Sequence, residues 1–145
     1  VDGVTTTIVP TTVQPTWTSV ATHLDSARTI LANGTWIQDR CALPHGAAHG
    51  LDGALFAVAS LLDGQGNPRD PLTREECARW VAVEDAAGHL CRALPDHVCR
   101  HTNARSCLCH VTSWAGEGGR TKAEVLALLD AAIVTAAREQ RAGVE

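Results

Sequence analysis

Four stretches of the chain repeat apolar residues at helical spacing. Over 18–33, Val20, Leu24, Ala27, Ile30 and Leu31 keep to one face of a 3.6-residue helix, and Gly34 supplies a stop. Over 52–62 (DGALFAVASLL) nearly every position is apolar, which predicts the central, most buried helix, with Asp52 as its cap. Thr73 and Glu76 have the spacing of a capping box. Behind them Cys77, Trp80, Val81, Ala87, Leu90, Cys91 and Leu94 form a stripe that Pro95 ends. Gly88, inside this stripe, predicts a close helix crossing. Thr121 and Glu124 form a second capping box before Val125, Leu128, Leu129, Ala132, Ile133 and Ala136, a helix running to about Arg141.

Strand patterns are weak. Only TTTIV at 5–9 and VTSW at 111–114 alternate or branch enough to pair. The expectation is therefore an all-α fold: about four helices in a small bundle, with two long irregular connections, 35–50 and 95–119. Residues 1–16 (VDGVTTTIVPTTVQPT) combine prolines with β-branched residues and almost no charge. They read as an extended N-terminal arm ahead of a single helical domain over 17–145, and such an arm suits docking on a protein partner or a second subunit.

Composition narrows the function classes. At 145 residues the chain has room for one modest core. Twelve basic against sixteen acidic residues give a net charge of −4 with signs interspersed, which disfavours gripping a nucleic-acid backbone. Lys122 is the sole lysine among those basic residues, and methionine and tyrosine are absent. The arginine bias fits a GC-rich coding source. The first twenty residues lack the charged start and apolar centre of a signal peptide, and no run reaches ~18 apolar residues. The expectation is a cytoplasmic or virion protein with no membrane partner.

The chemistry-bearing residues are concentrated. Between 97 and 110 the sequence is HVCRHTNARSCLCH, which places His97, Cys99, His101, Cys107, Cys109 and His110 in one irregular connection. Tetrahedral zinc is commonly held by two ligand pairs across a loop, and Cys99 with His101 joined to Cys107 with Cys109 offers two such pairs. The C-x-H and C-x-C spacings are tighter than those of standard zinc fingers. Disulfides fit the even count of six cysteines, and reduced thiols packed in the protein are the third reading. With no Asp or Glu between His97 and His110, a catalytic metal lacks its usual acid or base, so any zinc here is expected to be structural.

A second cluster, CALPHGAAHGLDG at 41–53, carries Cys41, His45 and His49. A cysteine nucleophile needs an adjacent imidazole and an oxyanion hole, which the amides at the following helix start would supply. The alternative is a tight glycine-shaped loop with exposed histidines.

The segments ILANGTWIQD (30–39), HGLDGALFAVAS (49–60), DAAGHLCRALP (85–95) and VTSWAGEGGRTKAEVLALLDAAI (111–133) together resemble a family of small actinobacterial and actinophage helical domains of unknown function, over about residues 20–137. Ala115–Gly116 stand where that family carries Asn-Asp after the tryptophan, and the Cys/His segment has the character of an insertion. The resemblance implies a compact helical domain and carries no activity with it. Trp36, Gln38 and Trp114 either meet around one pocket or staple loops onto the helices. The sequence favours a non-enzymatic binding or structural protein with a zinc- or disulfide-stapled loop, in a phage accessory or virion setting. The alternative is a thiol hydrolase using Cys41 with His45 or His49, or a metal-dependent hydrolase at the 97–110 cluster.

Overall fold

The computed structural model describes residues 18–38, 40–95 and 104–144. The arm over 1–16 lies outside them, as does TTTIV. Among the described residues the fold is all-α. The helices are α1 (Val20–Asn33), α2 (Leu51–Val58), α3 (Arg74–Arg92), α4 (Ala104–Ala115) and α5 (Lys122–Val144), with a 3₁₀ turn at Pro44–Gly46.

Local chemistry sets most boundaries. Ser19 caps α1 by accepting the Thr22 amide, and Thr73 and Glu76 close their capping box on α3 in both directions. Thr121 and Glu124 do the same for α5. The expected cap of α2 is corrected. Gly50 is its N-cap and Asp52 lies inside the first turn, because the incoming loop delivers the chain in an extended conformation at Gly50. The helix also stops at Val58, not 62. Ser60 adopts φ 59°, and the Ser60 and Leu61 amides turn back to the Ala57 and Phe56 carbonyls, a Schellman-type stop without glycine.

The larger correction is α4. The sequence reads 104–115 as part of an irregular connection, with VTSW as one of two weak strand patterns; the whole stretch is a helix. Its buried face is Cys107, Val111 and Ala115, at i, i+4 and i+8. Small side chains carry that period, so it is faint in the sequence. On α3 the expected stripe is rotated. Cys77 and Val81 are exposed, and the buried positions are Ala82, Val83, Ala86, Ala87, Leu90 and Cys91. Gly88 is not a tight crossing, since a Cβ there would meet only the Arg92 guanidinium, at 3.6 Å.

The core joins all five helices. Leu24 and Leu31 of α1, Leu51 and Leu55 of α2, Leu90 of α3, Val111 of α4 and Val125 and Leu129 of α5 are fully enclosed. Each such leucine contributes roughly 1.5–3 kcal/mol by leaving water. Phe56 packs against Trp80 with ring centroids 5.0 Å apart. Among the described residues His23 is the one buried polar side chain in this core, and its Nε2 lies 2.8 Å from the Leu55 carbonyl oxygen. α1 and α5 run antiparallel: Arg28 pairs with Asp130, while Lys122 Nζ donates to the carbonyls of Ala32 and Gly34. The sole lysine thus sits on the negative end of the α1 dipole.

Candidate functional site

The loop over 34–50 folds onto the start of α2 and builds the first candidate site. Extended residues Trp36 and Ala42 both pair with His49, giving a small bridge around that backbone. Ile37 donates to the His49 carbonyl, His49 to the Thr35 carbonyl, and Gly50 to the Cys41 carbonyl at 2.7 Å. Two glycines make this approach feasible. A Cβ on Gly53 would lie 1.7 Å from the Cys41 carbonyl oxygen, and one on Gly66, at φ +85°, would lie 2.3 Å from that of Ala42. Cys41 is therefore clamped between α2 and the tip of the 61–68 hairpin. Arg40 ties that tip down through the Gln65 carbonyl.

A cavity of about 100 Å³ opens here, lined by Gln38, Arg40, Cys41, Asp52 and the end of α4, among others. Cys41 and Asp52 line it together, and the carboxylate is near enough to act on the thiol. Burial, and then the charge of Asp52, push the thiol far above its ordinary range. Burial likewise raises Asp52, offset in part by the backbone amides of the α2 start. A thiol pushed up in this way stays protonated at neutral pH, the less nucleophilic form. The partner of Cys41 among the described residues is thus a carboxylate, whereas the expected nucleophile pattern needs His45 or His49. His45 is exposed and takes φ 59° in the 3₁₀ turn; burial lowers the pKa of the His49 imidazole. Gln38 sets the far wall: its amide donates to the Ala115 and Glu117 carbonyls at 3.1 and 2.8 Å. It fastens the loop to the end of α4, which answers its expected role as a staple.

The Cys/His segment is the second place. Cys99 and His101 of the expected ligand set, with His97, lie outside the described residues. The other two members are on α4. Cys107 is buried and Cys109 exposed, because residues two apart on a helix point about 200° away from each other. Two side chains that the expected set did not include meet instead across the α3–α4 contact, where Cys91 Sγ lies 3.8 Å from His110 Nδ1. Among the described residues no group of three or more His, Cys, Asp or Glu is placed to hold a metal ion.

The quoted segments that carried the sequence resemblance fall on the end of α1 and its loop, α2, the end of α3, and the α4–α5 junction, and together they make up the framework just described. A family of unknown function, DUF6197, matches residues 15–135. The chain belongs to it. No curated protein and no solved structure matches this DUF6197 chain. No helix among its described residues is long and apolar enough to cross a membrane.

A larger concavity than the one beside Cys41 lies elsewhere among the described residues. A groove of about 620 Å³ runs between α5 and the ends of α3 and α4, with Pro95 and Trp114 on one side and Ala127, Leu128 and Ala131 on the other. The Arg120 guanidinium covers the Trp114 ring at 4.0 Å and is held by Glu117 and Glu124. Trp114 and Gln38 therefore face different cavities. The sequence held no signal for the groove, because on its α5 wall Leu128 reads as core and Ala127 and Ala131 read as helix surface.

Proposed function

We propose that the protein is a non-enzymatic binding or structural protein in which metal or disulfide chemistry staples the connection between α3 and α4. The observation that carries the non-enzymatic part is the Cys41–Asp52 pair. The Cys41 thiol, beside the start of α2, lies by a carboxylate and is held protonated by burial and by that charge, the opposite of what a thiol hydrolase requires. The stapled part draws support from Cys91 and His110. Their separation of 3.8 Å is close to the ~3.6 Å between a thiolate and an imidazole nitrogen on one tetrahedral zinc, taking Zn–S near 2.3 Å and Zn–N near 2.0 Å. Zinc held there would cross-link two helices, a structural and not a hydrolytic role. In this reading the N-terminal arm docks on a protein partner, and a phage or virion setting suits both the arm and the staple.

Alkylation followed site by site with peptide mass spectrometry tests the first part. Cys77 and Cys109 label fastest, Cys41 labels much more slowly, and the buried Cys91 and Cys107 label only as the fold opens. Fast labelling of Cys41 below pH 7 would overturn the proposal in favour of a thiol hydrolase. Native mass spectrometry with chelator and with reductant tests the second part. One zinc lost on chelation, or a two-proton deficit per bridge restored by reductant, supports stapling. A fully reduced, metal-free mass refutes it.

A further inference from the structure

The groove beside α5 belongs to a surface whose charge order is self-complementary. Glu124, Ala127, Ala131, Val134, Thr135 and Arg138 lie within a stripe about 100° wide on α5. All six are exposed, and Val134, 53% exposed, is one of the few large apolar side chains left in solvent. The middle of the stripe is small and apolar, so another helix can approach closely. Its ends differ in sign. Glu117 and Glu124 outnumber Arg120 at the start, whereas Arg138 and Arg141 stand at the finish. Glu139, near the same end, is turned aside to His89.

We infer that α5 pairs antiparallel with α5 of a second copy of this chain, about a two-fold axis at Ala131. Glu124 and Arg138 are each seven residues, two helical turns, from Ala131. The symmetry therefore sets Glu124 of one copy against Arg138 of the other, twice. In the same register Ala127 meets Thr135 of the second copy, Ala131 meets itself, and Val134 comes over the edge of the core at Leu128, which is only 4% exposed. Arg138 then joins Arg120 on Glu124, which already holds Arg120 at 3.1 Å, so the carboxylate is shared between two guanidinium groups, and the antiparallel dipoles attract. The neighbouring groove, walled by Trp114 and Pro95, gives the partner helix a second side to rest on. This inference is independent of the proposed staple and of the state of any cysteine.

Sedimentation velocity on the full chain under reducing conditions, from about 1 to about 200 µM, tests it at the weak end of protein interfaces. The expected result is a monomer at the low end and a dimer at the high end. Ala131→Glu and Ala131→Lys each place a charge against its own copy, so each weakens dimerisation tenfold or more, while circular dichroism shows the fold intact. Arg138→Glu weakens it in the same direction. A monomer throughout overturns the proposal. So does a dimer that tolerates both Ala131 variants, or one that only a single sign of charge disrupts, because a two-fold contact rejects both signs.

Discussion

Two glycine-to-alanine changes, both inside helices, should shift stability in opposite directions. In a helix interior alanine is better than glycine by about 1 kcal/mol. At Gly88 nothing opposes that gain, since the new methyl meets only the movable end of Arg92 at 3.6 Å. Gly88→Ala should therefore stabilise by about 0.5–1 kcal/mol. At Gly53 the methyl would lie 1.7 Å from the Cys41 carbonyl oxygen, a backbone atom that must retreat by more than an ångström. Overpacking costs about 1–3 kcal/mol. The displaced carbonyl also gives up its 2.7 Å bond from the Gly50 amide, about 1 kcal/mol more. After the propensity gain, Gly53→Ala should destabilise by about 1–3 kcal/mol, lowering the melting temperature by about 3–12 °C. Gly64→Ala, with nothing within 4 Å, serves as the control and should change little. Urea unfolding followed by tryptophan fluorescence measures all three. If Gly53→Ala is as stable as the parent, the Cys41 loop is not seated on α2. If Gly88→Ala loses more than 1 kcal/mol, α3 makes a tighter crossing than its surroundings indicate.

Burial lowers the pKa of His23, so the unfolded chain takes up a proton at a higher pH than the folded one. Stability from this group is complete above about pH 6.5 and falls as the pH drops from there toward the lowered value. His23→Gln should flatten that slope in urea midpoints taken between pH 7.5 and 5, and an unchanged slope would exclude His23 as its source. Gln38→Ala removes both bonds to the end of α4 and should cost about 1–2 kcal/mol, with faster amide exchange along 34–50. Thr73→Ala breaks the α3 capping box and should lower stability by about 1 kcal/mol in the same urea titration.

What was legible in the sequence was whatever large side chains or caps spell out. α3 and α5 begin where Thr73 and Thr121 place them, since caps act over three residues and need no tertiary partner; the Ser19 cap of α1 has the same local origin. α4 was hidden because its buried face is Cys107, Val111 and Ala115, two of them small, and because Thr112 and Ser113 interrupt it with polar groups. Cys77 and Val81 match the helical period but sit on the solvent side. Period alone does not say which edge of a stripe a neighbouring helix covers. Gln38 could be flagged as a staple, but its acceptors lie about 80 residues away and follow only from the tertiary fold. The same holds for Cys91 and His110, whose meeting depends on how α3 crosses α4.

The antiparallel contact between α1 and α5 also bears on how the chain is made. Leu24 and Leu31 find much of their cover in Val125, Leu129 and their neighbours, which are translated about a hundred residues later. Until α5 has left the ribosome, the first helix has no lasting shelter for its apolar face, and intermediate lengths present it to chaperones and proteases. Closure of the bundle is thus a late, all-at-once event. A stop placed anywhere before Val125 should yield a short-lived fragment, not a smaller folded protein.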